Sequence, residues 1–553
     1  MDLGAISGFG FAAAFAAYTK HLGASNPTSV AAFFVFLTAQ AIFYVVFTSL
    51  VYRWFISATK HLPHPKNTPF VLGNLVPFLA EPWGFPLVRW QPTIPTTASG
   101  FYRIFLGPFD FVIPRTSQAV TTIMSQPYTF VKPKAVRDGL VESLGVGLVS
   151  AEGDDHRRQK KLLTPIFGLS RNRRLLPQMW AKAGVLTEKM CELVLESGSK
   201  STILLMHPLT MAATLDVIGV TTLGVDFDSI RRPDQPILKA FQRVFPSNEN
   251  QNAWARFFGA TLPALVSPHL LFKLPLKPIR EFHSGVRVIR EMCLEQITLK
   301  RREIEEAEAA GRGEENSSVE AKEKDILSAI VASGLQDEDE MMSHMLTILA
   351  AGHESTAITL AWALFKLAQL PDVQDKLRAE ISDTLDRLHI ADPSSPSSPI
   401  PTLEEINSMP YLRAFLMEVL RMYPAFPSMM REPTHDVKIS DDLTLPRGKP
   451  LMVSPYAVNR SRELWGDDAD EFHVERWEAA YNGGAKTAQA FFTFSSGPRI
   501  CIGKDFAVLS LKVFLVVLVS KLRFEEAVKG WHPTVQKGTS LKPQGLKIKV
   551  SLV

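Results

Sequence analysis

The chain has 553 residues, 46% of them hydrophobic, and a formal net charge of +4 at pH 7. That length and apolar content supply ample material for a large buried core, while so small a charge gives no support to nucleic-acid binding. Three cysteines, Cys191, Cys293 and Cys501, lie far apart without metal-finger spacing, which argues against a disulfide framework and favours a reducing compartment.

From the N-terminus, Val30 to Tyr52 carries no charged residue. At about 1.5 Å per residue such a helix spans roughly 34 Å, enough for a hydrocarbon core of about 30 Å, and we read it as a transmembrane anchor. A cleaved signal peptide fits less well, because Asp2 stands where a basic region is required and the apolar run is too long. Arg53 and Lys60 follow directly, and positive-inside bias then places the remaining chain in the cytosol. Leu3 to Thr19 is also uncharged, short and rich in Gly and Ala, and reads equally as a second span or an interfacial helix. Pro63, Pro65 and Pro69 cannot continue a helix and make the next stretch a stiff linker. Residues 1–60 thus read as anchor and linker, and 61–553 as a separate unit.

Phe101 to Leu106 and Phe109 to Ile113 read as two strands about a turn at Gly107 and Pro108. The run from Glu152 to Phe167 begins acidic and turns basic, a pattern that a solvated helix face explains by itself. Residues 240–275 alternate apolar segments with prolines and carry Phe241, Phe245, Trp254, Phe257, Phe258 and Phe272. They suit core helices or a mobile lid equally. Lys300 to Lys324 is charged, with little apolar periodicity after Ile304, and predicts an exposed helix end and loop.

A long apolar run from Asp339 to Leu370, closed by Pro371, predicts a central buried helix. Inside it lies Ala351-Gly352-His353-Glu354-Ser355-Thr356, whose glycine, acid and hydroxyls are poor interior helix residues and mark either a kink or a site. Asp392 to Pro401, rich in Ser and Pro, predicts an exposed linker. Glu418 and Arg421 stand three apart on the next helix and therefore on one face; a surface salt bridge is the default reading, and worth little. Leu443 to Leu445 and Leu451 to Val453 read as strands. Near the end, Phe494 to Gly503 encloses Cys501 and opens an apolar helix from Phe506 to Val519. A thiol at a helix N-terminus sits in a positive field that favours the thiolate, the metal-ligating form. Gly497 and Gly503 permit close approach of a flat ligand, and Arg499 presents a positive fork for a carboxylate.

Phe494, Gly497, Arg499, Cys501 and Gly503, at these spacings before an apolar helix, resemble the heme-binding signature of the cytochrome P-450 superfamily. Four further segments occur in the family order: the basic run, Ala351 to Thr356, Glu418-x-x-Arg421 and Glu475-Arg476-Trp477. The resemblance covers nearly the whole chain after residue 60 and is closest in style to membrane-bound filamentous-fungal members. It implies a mainly α fold with a smaller β-rich lobe, forming one large catalytic domain behind the N-terminal transmembrane helix. Cys501 would be the axial thiolate of a heme b iron. Arg499, Arg431, His156 and Lys160 would meet the heme propionates, His156 and Lys160 standing where Trp and Arg are the commoner pair. Arg157, Arg158 and Lys161 would face an acidic electron donor. Glu354 would be the proton-relay acid. Ser355 occupies the usual relay-Thr position, with Thr356 as the second candidate alcohol. Glu418, Arg421 and Arg476 would form a buried cluster fixing the heme loop. The linker is similar to the family's Pro-rich hinge, with His64 where Gly is often found, and Val474 replaces the usual Pro before Glu475.

The implied activity is that of a monooxygenase which inserts one atom of dioxygen into an apolar small molecule. Its electrons would come from NADPH through a separate reductase, at the endoplasmic reticulum membrane with the catalytic domain facing the cytosol. The style of the sequence favours a polyketide or terpenoid intermediate of secondary metabolism as substrate, with fatty-acid hydroxylation as the runner-up. A reductase-independent isomerase or dehydratase would often lack the relay formed by Glu354, Ser355 and Thr356. A heme sensor or carrier would need neither that relay nor the basic face.

Overall fold

The computed structural model describes residues 35, 38–40, 42–244, 268–310, 324–537 and 539–553. The helices that position the site are α1 (Gly153–Leu163), α2 (Leu169–Glu196), α3 (Met206–Ile218), α4 (Pro236–Val244), α5 (Lys277–Ala310), α6 (Glu338–Gln369), α7 (Pro371–Arg387), α8 (Pro410–Met422), α9 (Glu475–Ala479) and α10 (Lys504–Lys521). Helix α6 begins where the Asp337 side chain accepts the Asp339 and Glu340 backbone N–H groups, and three acids fill its first turn, which complements the helix dipole. It stops before Pro371, which cannot carry the ladder onward. From Met341 to Ala350 every residue is buried, so α6 is the central helix that its apolar run predicts. Gly352 lets α3 pack close: a Cβ there would stand 2.7 Å from Ile218 Cδ1. Helix α10 is buried just as thoroughly, from Leu509 to Val519, and packs on α2.

The β-rich lobe is a sheet of five strands in the order β1 (Phe101–Leu106), β2 (Phe109–Pro114), β8 (Leu451–Val453), β5 (Met429–Pro433) and β3 (Phe130–Val131). Strands β1 and β2 form the predicted hairpin, pairing Phe101 with Pro114 through Leu106 with Phe109, and Gly107 takes a φ of +61° in its turn. Strand β8 runs parallel to β2 and antiparallel to β5, opposing Leu451 to Arg431. A second sheet joins β4 (Ser201–Leu205), β12 (Lys547–Leu552) and β9 (Leu522–Glu526); β6 (Val437–Lys438) pairs β7 (Thr444–Leu445), and β10 (Thr534–Val535) pairs β11 (Pro543–Gln544).

The expected anchor begins outside the described residues, as does the whole of Leu3 to Thr19. Among the described residues, Thr38–Ile56 is one of two helices long and apolar enough to cross a membrane, and it ends beyond Tyr52 in π-helical turns, Thr48–Ile56. Arg53 is not a surface charge after a span. It is 1% exposed, donates to the carbonyls of Gly107, Phe70 and Val71, and lies 4.6 Å from the Phe105 ring centroid. Arg103 of β1 donates back to the carbonyls of Arg53, Lys60 and Leu62. Beneath them, the buried Asp110 carboxylate takes Lys449 at 2.5 Å, Ser57 at 2.9 Å and Thr59 at 3.2 Å. The stretch after the helix is therefore built into the sheet by polar contacts with no sequence-local signature.

One other expectation changes. Lys300 is 4% exposed, not part of a solvated helix end, because it pairs with the buried Asp325 at 2.9 Å; α5 runs on to Ala310, and residues 311–323 lie outside the described residues. The Asp392–Pro401 linker is largely exposed or half-buried, as expected, and is anchored at the buried Pro393, whose carbonyl accepts the Trp180 indole N–H at 2.9 Å. Of residues 240–275, those from 245 to 267, with Phe245, Trp254, Phe257 and Phe258, lie outside the described residues. Phe241 is a core residue, 2% exposed.

Candidate active site

The Cys501 loop is shaped by backbone geometry. Gly497 opens a single 3-10 turn, Gly497–Arg499, at φ +63°, and a Cβ there would sit 2.6 Å from the Met124 carbonyl oxygen, so the turn admits only glycine. The Cys501 N–H then donates to the Phe494 carbonyl at 2.9 Å, closing the loop before Gly503 caps α10. Gly503 has an ordinary negative φ of −88°, so no turn requires glycine there. A Cβ at Gly503 would meet nothing within 4 Å, which leaves open space beside the cysteine. Cys501 retains accessible surface within dense protein. That burial raises its thiol pKa, against the Gly503 backbone N–H and Lys504, which lower it. Burial thus opposes the helix-end field at this sulfur, and a bound metal cation would favour the thiolate.

Around this loop the chain gathers cationic side chains against one carboxylate. Arg499 donates to the Ala151 carbonyl at 2.9 Å and to Glu152, and Glu152 also takes Lys132 at 2.9 Å. Lys160 reaches across from α1 to the Pro498 carbonyl. Arg431 of β5 is 8% exposed, yet among the described residues its guanidinium bonds only to the Met430 carbonyl and the Met429 sulfur. Burial, then Arg499, pushes it down to about 10, with Glu152 acting the other way. Lys132 is pushed down to about 8, by burial first and then by Arg499. His156 is buried, its Nδ1 lies 3.2 Å from the Tyr128 hydroxyl, and burial with Arg499, Lys132 and Lys160 lowers it to about 3. It is neutral at physiological pH. The buried cations Arg431, Arg499 and Lys132 face the single carboxylate of Glu152, with half-buried Lys160 at the rim; the group lacks negative charge, and buried charges require partners. A dianionic ligand beside an accessible cysteine meets that demand, so the residues fit heme with its two propionates.

Lys132, Glu152 and Tyr128 were not assigned to this cluster by sequence. Glu152 lay in the named basic run, but no periodicity indicates that it would cross to Arg499. The outward cations are partly committed: Arg158 is bidentate to Glu340 at 2.8–2.9 Å, and Arg157 pairs with Asp154 and stands 4.0 Å over the Tyr128 ring. Lys161 is exposed.

Helix α6 opens at one place. Ala351 is exposed and Gly352 and Ser355 are half-buried, in the middle of an otherwise buried run. The Ser355 hydroxyl donates to the Ala351 carbonyl at 2.6 Å, a bond to the preceding turn that loosens the helix there. Thr356 is 4% exposed and Glu354 8%, so of the two alcohols Ser355 stands on the open face. The Glu354 carboxylate is held by Lys542 at 3.0 Å.

Glu418 and Arg421 of α8 are fully buried rather than a surface pair. Their bidentate bonds are 2.8 and 2.7 Å, and Arg421 also donates to the carbonyls of Asn459, Ala469 and Glu471. The second guanidinium stands at the edge of this pair and is shared with another acid. Arg476 Nε lies 4.0 Å from Glu418, and its bond goes to Asp468 at 2.6 Å. The Trp477 indole and the His473 N–H, each at 2.8 Å, complete Glu418 instead, since α9 carries Trp477 inward while Arg476 meets the more exposed Asp468. Asn459, which accepts Arg421 through its carbonyl, also holds the Phe492 N–H at 2.8 Å and Thr493 at 2.8 Å. The cluster therefore bonds directly to the chain that leads into the cysteine loop.

Comparison with known proteins agrees with this geometry. The family description "Cytochrome P450" matches residues 94–550. The chain is 30% identical over 521 residues to the cytochrome P450 monooxygenase sphH of Aspergillus fumigatus, covering 93% of this chain and 92% of that protein. It is 27% identical over 556 residues to the cytochrome P450 monooxygenase FUM15 of Gibberella moniliformis, covering 91% and 90%. It is 32% identical over 405 residues to the cytochrome P450 monooxygenase buaD of Petromyces alliaceus, covering 72% and 70%. A matched stretch from the first strand to the last, with a cysteine loop and cation cluster suited to heme, places this chain in the cytochrome P450 family, as a heme-thiolate monooxygenase.

Proposed function

We propose that this monooxygenase oxidises an apolar small molecule, a polyketide or terpenoid intermediate in the first instance, with electrons delivered from NADPH by a separate reductase. Heme bound through Cys501 supplies the activation of dioxygen. The chain's own residues hold and serve it. Arg499, Arg431 and Lys160, with Lys132, provide charge for the propionates, and the neutral His156 provides a hydrogen bond without adding charge. Phe494, Gly497 and Gly503 shape the loop and leave room beside the sulfur. On α6, Ser355 is the alcohol that passes a proton into the open face and Glu354 the acid that feeds it; Thr356, buried, is the second choice. Glu418, Arg421 and Arg476 hold the loop in place and take no part in the chemistry.

The observation that carries this reading is the buried cation cluster around a single carboxylate beside an accessible cysteine. The unit 61–553 would work at the endoplasmic reticulum membrane, facing the cytosol, with residues 1–60 as anchor and linker; the apolar helix ending at Ile56 supports it. The reduced carbon-monoxide difference spectrum of the membrane fraction tests the core of the proposal. We expect a thiolate-type Soret band in the parent and its loss in Cys501→Ala. A heme-loaded parent without that band would remove the assignment of Cys501. Product formation from polyketide, terpenoid and fatty-acid panels, with and without reductase and NADPH, then decides the substrate class.

A further inference from the structure

The C-terminal hairpin brings a lysine to the oxygen-side helix from far along the chain. Lys542, just before β11, is 4% exposed, and its ammonium lies 3.0 Å from the Glu354 carboxylate. Its main chain is fixed on both sides. The Leu541 carbonyl accepts the Trp362 indole of α6 at 2.8 Å, the Leu541 N–H donates to the Ala425 carbonyl, and the Lys542 carbonyl accepts the Gln536 N–H at 2.8 Å.

The two histidines that feel Lys542 carry no charge at neutral pH. His353 is fully buried on α6, beside Phe241 of α4, and burial followed by Lys542 and His207 lowers it to about 3. His207 of α3 is likewise lowered to about 3 by burial and then Lys542. Neither ring nitrogen of His353, nor Nδ1 of His207, has a hydrogen-bond partner among the described residues. Lys542 is thus the partner of the buried Glu354 carboxyl group at 3.0 Å, and a buried carboxylate without such a partner would be strongly unfavourable.

We propose that Lys542 is the positioning residue of the relay acid, its ammonium holding the Glu354 carboxylate in a buried ion pair from which the acid must be released to serve Ser355. This rests on the reading of Glu354 as that acid. Protonating the carboxylate removes the Coulombic attraction to Lys542, so a proton arriving from solvent both charges the relay and frees it. When the proton is passed to Ser355, the restored carboxylate returns to the ammonium, and no proton is consumed by the pair itself.

Carbon monoxide bound to the reduced holoenzyme probes the test, because its stretching frequency reports polar groups at the ligand position without any turnover. Lys542→Met is expected to shift or split the C–O band as Glu354 leaves its resting place, Lys542→Arg to keep the parent band, and Lys542→Met/Glu354→Gln to match Glu354→Gln alone. If Glu354→Gln moves the band and Lys542→Met does not, the positioning role of Lys542 is overturned while the reading of Glu354 stands. If neither variant moves it, Glu354 does not serve that position and both readings fall. Should Lys542→Met fail to fold, recovery of the thiolate carbon-monoxide band in the double variant supports the ion pair. Failure of both to fold assigns Lys542 a structural role independent of Glu354 and overturns the proposal.

Discussion

Replacing Arg421 by alanine tests the claim that a buried ion pair, not the cysteine loop by itself, holds the heme-binding segment in place. In the parent, Glu418 accepts two bonds from Arg421, one from His473 N and one from Trp477. Without Arg421 it keeps two bonds, and the nearest cation is Arg476 at 4.0 Å. Three carbonyls, those of Asn459, Ala469 and Glu471, lose their donor as well. Breaking one buried pair costs about 3–5 kcal/mol, and each deserted carbonyl adds roughly 1 kcal/mol. The total rivals the stability of a whole domain, about 5–15 kcal/mol, so Arg421→Ala should lose heme or fail to fold. Arg421→Lys places a point charge where a planar fork makes five bonds, and should recover only part of the loss. Glu418→Gln/Arg421→Met removes both charges and should be less damaging than Arg421→Ala. Urea unfolding followed by tryptophan fluorescence, with the thiolate carbon-monoxide band as the measure of an intact site, reads all three. An unfolding free energy for Arg421→Ala within about 1 kcal/mol of the parent would refute the reasoning. A double variant no better than the single one would show that the stranded charge is not the source of the cost.

Lys449→Met should destabilise the junction behind the apolar helix by about 3–5 kcal/mol, because the buried Asp110 would retain only Ser57 and Thr59; Asp110→Asn/Lys449→Met should cost less, by differential scanning of the detergent-solubilised protein. Gly497→Ala should lose the carbon-monoxide band, since φ is +63° and the new Cβ would lie 2.6 Å from the Met124 carbonyl; Gly503→Ala, with open space and negative φ, should still fold, so any heme loss there reports the ligand rather than the turn. His353 contributes to acid sensitivity. Its folded pKa of about 3 lies below the ordinary 6.5, so the unfolded chain binds the extra proton in that window and stability falls as pH drops through it. Between pH 6.5 and 5 that amounts to about 2 kcal/mol. His353→Leu, which strands no ring hydrogen bond, should flatten the decline of melting temperature over this range; an unchanged slope would show that His353 is protonated in the folded state.

The sequence by itself determined the elements whose signal is local. The β1–β2 hairpin follows from two apolar runs about Gly107, α6 from the apolar run from Asp339 to Leu370 closed by Pro371, and the cysteine loop from ordered residues within a single decapeptide. Each rests on backbone preference and hydrophobic periodicity, which act over neighbouring residues. Only the tertiary structure decided which polar groups meet. Lys132 and Glu152 joining Arg499, Trp477 rather than Arg476 completing Glu418, Arg53 turning inward to Gly107, and Lys542 reaching Glu354 all depend on chain segments brought together by burial of the core. In the low-dielectric interior a charge must find a partner wherever the packing places one, and sequence separation does not enter that requirement.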